Sequence, residues 1–321
     1  MNKSVLHIVF IFSFLSAVAQ QNLVPNGSFE EYYNCPNYID GYTISSCKDW
    51  ISPSLGSPDY FNSCSTEFDN SQNTLLFSVP QNYYGNESAH TGNAYAGIVF
   101  AQDSANLPAY SEYIQVELIE GLEIGQSYKL CFFVHNPKQI CFNSIGALFT
   151  SHELIVLSDD IISFTPSFKS NPVYFFCDTN NWTSIEYVFF ADGTERFLTL
   201  GVFSPIPEIQ AVNYDGSEYQ SGISAYLYID DVSIIETDFV MTNVFTPDGD
   251  GINDFFNIDL KALKASKISI SNRWGNTIIE TNKSLSWDGT SNGYDCVDGI
   301  YFYSIEFENG KTINGFISLM R

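Results

Sequence analysis

Short runs of alternating apolar and polar residues, separated by turn-forming residues, constrain the fold of this chain more than any other feature. The clearest pair of runs lies at 299–308 and 311–320 and is joined by Asn309 and Gly310. An Asn-Gly dipeptide supplies the positive φ angles that a two-residue turn requires, so this pair predicts a β-hairpin. No stretch has the apolar spacing of a helix of three turns, and the pattern predicts an all-β protein.

Similar runs predict strands in the rest of the chain. Aromatic residues are frequent, with 27 Phe and 20 Tyr in 321 residues, and strands favour such residues. We expect strands at 110–118, 127–135, 182–190, 196–203, 225–235, 256–260, 267–272 and 277–280. Many strands with long connections predict a jelly-roll β-sandwich for residues 20–236. The shorter strands predict a small Ig-like β-sandwich for residues 242–321, after a linker at 237–241.

The first nineteen residues have the pattern of a signal peptide. Lys3 gives a positively charged start, residues 5–15 are apolar, and Ala17 and Ala19 are small residues spaced as at a cleavage site. We expect cleavage after Ala19 and no lipoprotein anchor, since no cysteine follows. The apolar run is shorter than the roughly 20 residues that a membrane helix needs, and no later run approaches that length, so we expect no membrane span.

The negative charge of the chain lies mostly in residues 20–236. That region has 26 Asp and Glu against 5 Lys and Arg, whereas residues 237–321 have 11 against 7. Such a surface repels phosphate backbones and anionic lipids, so nucleic acids and membrane surfaces are poor candidate partners. Neutral glycans, cationic surfaces and calcium stay open. The simpler interpretation is that the charge keeps an exported protein in solution.

Seven cysteines in a chain with an export signal predict disulfide bonds. Six of them lie in residues 20–236, and Cys296 lies in the C-terminal region. We expect one bridge within the group Cys35, Cys47 and Cys64. We expect a second bridge that joins Cys131 to Cys141 or Cys177.

Residues 243–321 contain a series of motifs in a fixed order. The series is Thr246, Pro247, Asp248, Gly249, Asp250, Gly251, Asn253 and Asp254, then Arg273, Trp274 and Gly275, then Trp287, Asp288 and Gly289. In this order the motifs resemble the gliding-motility-associated C-terminal domain, the type B sorting domain of the type IX secretion system. The resemblance implies the type IX machinery as a partner, and export through the periplasm of a Gram-negative bacterium to the cell surface or the medium. Its motif residues would form the fold that the machinery recognises.

The first of these motifs is also a candidate calcium site. Asp248, Asp250 and Asp254 occupy the first, third and seventh positions of a glycine-rich turn. A hard cation needs several oxygen ligands, and glycines allow a loop to fold around it. The alternative interpretation is that Asp, Asn and Gly only form the turn.

The two ends of the first region show a second resemblance. Residues 22–30 and 228–234 resemble the opening and closing segments of galactose-binding-like jelly rolls, a pattern shared by many carbohydrate-binding modules. The resemblance implies a glycan ligand, and a structural calcium held by Glu30 and by Asp230 or Asp231. The alternative is a hydrogen-bonded carboxylate. Because adjacent residues on a strand point to opposite faces, we expect one of the two Asp side chains to face solvent.

Aromatic side chains are the candidates for glycan contact, because flat rings serve as platforms for sugars. We predict Trp50, Tyr60 and Phe61 as the cluster to test first, with Tyr83, Tyr84 and Trp182 as further candidates on loops. Core packing is the more common role of each, since aromatic residues dominate the interiors of β-proteins. We expect Trp274 and Trp287 to be core residues.

No catalytic motif is recognisable in the sequence. His152 and Glu153 begin a zinc-protease pattern, but Val156 stands where the second histidine would be. We therefore predict a non-catalytic binding or adhesion protein. One alternative is a structural or gliding-associated surface protein with no small ligand. The other is an unrecognised extracellular hydrolase, which would need a pocket that joins two carboxylates and raises the pKa of one of them.

Overall fold

The computed structural model describes residues 20–39, 43–102, 110–137, 140–170, 175–203, 211–213, 223–237, 244–251, 253–258, 260, 263, 265–307 and 310–321. In these residues the chain consists of β-strands, turns and one short 3-10 helix at Ile44–Ser46, with no α-helix and so no helix that could cross a membrane. The all-β prediction is confirmed. The predicted signal peptide at 1–19, the turn residue Asn309 and most of the predicted linker at 237–241 lie outside the described residues.

The strands of the N-terminal region extend from residue 50 to residue 236. They are β1 (Trp50–Ile51), β2 (Asp59–Asn62), β3 (Phe68–Asp69), β4 (Thr74–Leu75), β5 (Ala94–Gln102), β6 (Tyr110–Ser111), β7 (Tyr113–Glu117), β8 (Ser127–His135), β9 (Ile140–Phe142), β10 (Gly146–Thr150), β11 (Phe168–Lys169), β12 (Thr183–Phe190), β13 (Phe197–Gly201), β14 (Ala211–Asn213) and β15 (Ile223–Glu236).

Most of these strands form two antiparallel sheets. One sheet has the order β1-β7-β13-β10-β11, and the larger one has the order β12-β8-β15-β5-β2, with β6 beside β5. The successive strands β7, β8, β10, β12, β13 and β15 alternate between the two sheets. A chain that passes back and forth between two antiparallel sheets in this way has the connectivity of a jelly-roll sandwich. The predicted fold class is therefore confirmed.

The main core lies between the two sheets. Leu130, Phe132 and Val134 of β8 are buried there with Ile114 and Val116 of β7. Because side chains alternate along a strand, the intervening residues point to the outer faces. The outer face of the larger sheet has an apolar cluster of its own, formed by Phe61, Tyr95, Tyr226 and Tyr228.

The opening and closing segments of this sandwich lie side by side. The Leu23 amide donates to the Ile234 carbonyl at 2.8 Å, and the Ile234 amide donates to Asn22 Oδ1 at 2.9 Å. A Cβ atom at Gly27 would lie 2.0 Å from the Val232 carbonyl oxygen, so only glycine allows this close approach. The two segments that the sequence singled out therefore form one contact.

Two disulfide bonds link segments of the N-terminal sandwich, one between two loops and one between β9 and a loop. Cys35 is bonded to Cys64, which confirms the first predicted bridge, and Cys141 is bonded to Cys177. The prediction that Cys131 pairs with one of the last two was wrong. Cys131 lies within β8, between β12 and β15, where its partners in register are Glu186 and Ser233. Its thiol is free, as are those of Cys47 and Cys296.

The C-terminal region forms a second, smaller sandwich. Its strands are β16 (Val244–Phe245), β17 (Phe256–Ile258), β18 (Ala265–Asn272), β19 (Thr277–Thr281), β20 (Leu285–Trp287), β21 (Thr290–Ser291), β22 (Tyr294–Asp295), β23 (Gly299–Phe307) and β24 (Thr312–Leu319). A sheet of order β16-β24-β23-β18-β19 is covered by the pair β17-β20. The predicted hairpin is confirmed as β23 and β24, and Gly310 in its turn has a φ of 82°.

Candidate functional site

A small pocket lies at the end of β2, on the outer face of the larger sheet. Its volume is about 160 Å³. One carboxylate, that of Asp59, and Leu76 line it together with five aromatic side chains, those of Tyr38, Phe61, Phe77, Tyr83 and Tyr84. Tyr38 and Tyr83 are more than half exposed, so they form its rim, whereas Phe61 and Phe77 are buried and form its wall. We call this site the Asp59 pocket.

Two tyrosine hydroxyls fix the orientation of the carboxylate in the Asp59 pocket. Tyr226 donates to Asp59 Oδ2 at 2.5 Å, and Tyr84 donates a second hydrogen bond. Asp59 is opposite Gly97 in the register of β2 and β5. A Cβ atom at Gly97 would lie 2.1 Å from the Tyr226 hydroxyl oxygen. Glycine at this position therefore makes the room that Tyr226 needs to reach Asp59.

A second buried carboxylate, that of Glu112, lies near Asp59 and raises its pKa. Burial, followed by the charge of Glu112, raises the pKa of Asp59 to about 7. Burial also raises the pKa of Glu112, although Tyr110 and the Val99 amide donate to its oxygens at 2.7 and 2.9 Å. Within the described residues, neither carboxylate forms a salt bridge with Lys or Arg. The pair of acids is therefore not neutralised by the part of the chain that the structure describes.

The structure separates the aromatic residues that the sequence grouped together. Phe61, Tyr83 and Tyr84 line the Asp59 pocket, but Trp50 and Tyr60 are buried in the core between the sheets. Tyr60 and Phe61 are adjacent on β2 and so point to opposite faces of the sheet. The predicted platform of Trp50, Tyr60 and Phe61 is therefore corrected, since only Phe61 reaches the pocket.

The remaining aromatic candidate, Trp182, covers a neighbouring part of the same face. Its indole nitrogen donates to the Ser88 carbonyl at 3.0 Å, and its ring meets Tyr95 edge-on with 5.7 Å between centroids. Trp182 is not among the residues that line the Asp59 pocket. Its contacts are those of a side chain that covers the outer apolar cluster.

Glu30, Asp230 and Asp231 surround one loop of the N-terminal sandwich. Asp230 is fully buried and accepts hydrogen bonds from the His90 amide at 2.9 Å and from its neighbour's amide at 2.7 Å. Asp231 Oδ1 accepts a bond from the Thr91 hydroxyl at 2.8 Å, and Glu30 Oε1 accepts one from the Asn93 amide at 2.6 Å. All three carboxylates are thus acceptors for the loop at 90–93.

This arrangement matches the alternative of hydrogen-bonded carboxylates at the opening and closing segments. Burial, followed by the charge of Asp231, raises the pKa of Asp230 to about 8. Asp230 is fully buried, whereas the Asp231 side chain is 21% exposed, so only the second of the two reaches solvent. A β-bulge follows Asp230 and gives Asp231 a φ of 48°, so both carboxylates nevertheless contact the same loop. Calcium binding by Glu30 with Asp230 or Asp231 stays a prediction.

Asp248, Asp250 and Asp254 come together in the second predicted calcium site. One oxygen from each lies within 4.8 Å of the others. Asp254 accepts hydrogen bonds from the amides of Gly249 and Gly251 at 2.7 and 2.8 Å, and both glycines have φ angles near 85°. The turn thus gathers three carboxylates, two exposed and one, that of Asp254, half-buried. Several oxygens close together are what a hard cation requires, but the hydrogen bonds within the turn also fit the alternative that these residues only form the turn. Calcium binding here stays a prediction.

The motif at 287–289 is partly buried in the C-terminal sandwich, with Trp287 and Gly289 buried and Asp288 exposed. Trp287 is buried and its indole donates to the Thr290 carbonyl at 2.8 Å, while Asp288 accepts from the Thr290 amide at 2.9 Å. Arg321 donates to the carbonyls of Gly289 and Cys296 at 3.1 and 2.8 Å. The expectation that Trp287 is a core residue is confirmed. The hydrogen bonds of Arg321 hold this motif in place, and the sequence did not reveal that role.

The motif at 273–275 lies on the surface. Trp274 is 77% exposed in the turn between β18 and β19, where Asn272 Oδ1 accepts a hydrogen bond from its amide at 3.0 Å. The guanidinium of Arg273 lies 5.5 Å from the centre of its ring. The expectation that Trp274 is a core residue was wrong, because a tight turn with Gly275 at a φ of 81° holds the ring away from the sheet.

The sequence did not point to four residues that line the Asp59 pocket or to the acid beside it; these are Tyr38, Asp59, Leu76, Phe77 and Glu112. Asp59 and Glu112 are separated by more than fifty residues, and neither belongs to a motif. Tyr38 and Phe77 come from two other loops. A run of Pro58, Asp59, Tyr60 and Phe61 is the only local signal, and it resembles an ordinary strand entry.

The two sandwiches define an all-β protein in which a jelly-roll domain precedes a small C-terminal sandwich. Residues 239–319 match the family described as the CHU_C Type IX secretion signal domain. The C-terminal part of the chain is therefore a type IX secretion signal domain. This match covers about a quarter of the sequence, and no curated protein matches the chain.

Solved structures show similarity at low identity. The chain is similar to CBM4, with 12% identity over 67% of this chain and 99% of that chain and a TM-score of 0.30. It is similar to TmCBM61 in complex with beta-1,4-galactotriose, with 14% identity over 68% and 99% and a TM-score of 0.32. It is also similar to the K3 cleaved adhesin domain of Lys-gingipain from Porphyromonas gingivalis, with 10% identity over 60% and 94% and a TM-score of 0.28. TM-scores of this size support no argument about function, and the fold assignment above rests on the strands and their order.

Proposed function

We propose that this protein is exported by type IX secretion to the cell surface or the medium, where its N-terminal sandwich binds glycan through the Asp59 pocket. The export part rests on the match of residues 239–319 to the secretion signal domain. The binding part rests on one observation, which is that aromatic side chains surround a single, almost fully buried carboxylate in a surface pocket.

The composition of the Asp59 pocket suits a sugar. Rings of Tyr83 and Phe77 offer apolar faces, and the carboxylate of Asp59 offers acceptor oxygens for hydroxyl or amino groups. Ligand sites combine apolar walls with a few placed polar groups in this way. At about 160 Å³, the pocket is smaller than the roughly 300–1,000 Å³ of drug-sized sites. We therefore expect it to hold one sugar ring of a longer chain.

A glycan array on the full-length, oxidised protein tests this function. The variant Tyr83→Ala removes a half-exposed ring from the rim of the pocket and should weaken binding to every glycan that the wild type recognises. Tyr294→Ala is the matched control, because Tyr294 is an exposed tyrosine of the C-terminal sandwich. If wild type and Tyr83→Ala bind the same glycans equally well, the pocket is not the binding site.

The pair of Asp59 and Glu112 favours a hydrolase as the second candidate function. The two acids interact, and the pKa of each is raised, which is how enzymes prepare a proton donor. Glu112 is not among the residues that line the pocket, so it does not face a bound ring, and binding is proposed first. Release of reducing ends from a bound oligosaccharide, lost in Asp59→Asn, would favour hydrolysis.

A further inference from the structure

We infer that the Asp59 pocket recognises a cationic group, namely the ammonium of an amino sugar, in preference to a neutral sugar. This inference rests on the proposed glycan-binding function and specifies its ligand. The observations behind it are the aromatic walls of the pocket, the two acids beneath it and the charge of the whole domain.

The aromatic walls favour a cation. Five rings surround the carboxylate of Asp59, and three of them belong to Tyr38, Tyr83 and Tyr84. The face of an aromatic ring attracts an ammonium ion within about 6 Å of the ring centre. Tyr83 and Tyr84 meet edge to face, with 5.2 Å between their centroids, so the two rings present different orientations to the same space. A neutral sugar would use such rings only as flat apolar surfaces.

The acids beneath the pocket have no Lys or Arg partner among the described residues, so a cationic ligand would favour their ionised forms. Asp59 is 8% exposed and Glu112 is 4% exposed, and burial of an ionised carboxylate is unfavourable unless a counter-charge compensates it. Of the side chains that the structure describes around the pocket, none is Lys or Arg. An ammonium group beside Asp59 would supply the missing charge, which a hydroxyl group does not do.

The carboxylate of Asp59 has room for a further donor. A carboxylate has about four acceptor positions, and Tyr226 and Tyr84 occupy two of them. An ammonium group has three N–H donors, so it can bond to Asp59 without the loss of either tyrosine contact. Charge-assisted hydrogen bonds of this kind are stronger than those between neutral groups.

The net negative charge of the N-terminal domain also favours a cationic ligand, at longer range than the contacts in the pocket. Residues 20–236 contain 26 acidic and 5 basic side chains. A surface of one sign attracts oppositely charged ligands and repels like-charged ones. We therefore expect the pocket to reject uronic acids and sulfated sugars, whose negative groups would meet Asp59.

Isothermal titration of the full-length protein at pH 7 tests the inference. The probes are glucosamine oligomers, N-acetylglucosamine oligomers of the same length, and glucose oligomers. We expect glucosamine oligomers to bind at least about tenfold more tightly than the other two, a difference of about 1.4 kcal/mol. Asp59→Asn should abolish this preference, and Asp160→Asn, a change at an exposed acid with a local hydrogen bond to Ser158, should preserve it.

Because Asp59→Asn could lose binding through a folding defect, a second variant tests the pocket independently. Tyr83→Ala changes a half-exposed side chain and should lower the affinity for glucosamine oligomers by several-fold, whereas Tyr294→Ala should not change it. Equal affinity for all three oligomers would overturn the preference for ammonium and leave the glycan function intact. If no sugar binds, the inference and the proposed function both fail. If a lysine-rich peptide binds through Asp59 more tightly than any sugar, the ligand is cationic, and the assignment to amino sugars is overturned.

Discussion

Asp230 and Asp231 are adjacent on β15, yet both carboxylates hold the same segment of chain. Asp230 accepts a hydrogen bond from the His90 amide at 2.9 Å, and Asp231 Oδ2 lies 2.5 Å from Nδ1 of the His90 ring. The β-bulge after Asp230 turns the second side chain to the side of the first, and a strand without a bulge would point them apart. The loop at 90–93 is thereby fixed to the last strand of the jelly roll.

Two buried acids should make the protein less stable as the pH rises. The pKa of Asp59 is raised to about 7 and that of Asp230 to about 8, whereas both are near 3.9 in an unfolded chain. At these two sites the folded state therefore binds more protons between about pH 4 and 8, so their contribution to stability is greatest below pH 4 and is lost as the pH rises through 7 and 8. The change is on the order of a few kcal/mol.

Melting temperatures of the wild type and Asp59→Asn at pH 5 and pH 8 check this dependence. Asn cannot ionise and can still accept the hydrogen bond from Tyr226, so the decrease between the two pH values should be smaller in the variant. Asp160→Asn should behave as the wild type does. If the wild type and Asp59→Asn change equally between pH 5 and pH 8, the raised pKa of Asp59 is contradicted.

Gly97→Ala should destabilise the N-terminal sandwich by about 1–3 kcal/mol, the usual cost of overpacking a core. The new methyl group would lie 2.1 Å from the Tyr226 hydroxyl oxygen and would push it away from Asp59. Gly121→Ala is the control, since the nearest atom to a Cβ there lies 3.6 Å away. Urea unfolding measures both variants, and equal stabilities would show that β5 tolerates a side chain at residue 97.

The two motif tryptophans of the C-terminal sandwich should differ in their effect on stability. Trp287→Ala removes a buried ring that packs against Phe245 at 5.2 Å and Tyr301 at 5.0 Å between centroids, and such a change costs about 3–5 kcal/mol. Trp274→Ala changes an exposed side chain, where effects stay within about 0.5 kcal/mol. Chemical denaturation of the full chain distinguishes them. Similar losses from both substitutions would mean that Trp274 packs against the sheet.

Calcium should raise the melting temperature of the full-length protein relative to a chelator, if the predicted site at 248–254 binds it. An ion that binds only the folded state stabilises that state according to its concentration over its dissociation constant. Asp250→Asn should remove most of the increase, because it replaces one of three oxygen ligands. Asp231→Asn tests the other predicted site in the same assay. Equal melting temperatures with calcium and with chelator would dismiss both sites.

Deletion of residues 242–321 should leave the protein in the periplasm, because it removes the type IX secretion signal domain. Cell fractionation and surface proteolysis measure the outcome. The reciprocal experiment fuses the same residues, with a signal peptide, to an inert reporter, which should then appear outside the cell. Normal surface display of the truncated protein would refute export through this domain.

Local patterns in the sequence determined the strands and the C-terminal domain. The predicted strand at 127–135 coincides with β8, and the predicted hairpin coincides with β23 and β24 to within about two residues. Strand alternation and turn preferences are short-range properties, so neighbouring residues are sufficient to reveal them. β5 (Ala94–Gln102) was missed because both of its faces are covered, which replaces the alternating pattern by a nearly continuous apolar run.

Tertiary structure decided which faces, loops and charges meet. Tyr60 and Phe61 are equally aromatic in the sequence, but the position of the second sheet places one in the core and the other in the Asp59 pocket. The proximity of Asp59 to Glu112 depends on how distant strands pair, and Cys141 meets its partner Cys177 across a separation of 36 residues. Because contacts between residues fifty or more positions apart leave no local periodicity, they become visible only when the sheets are assembled.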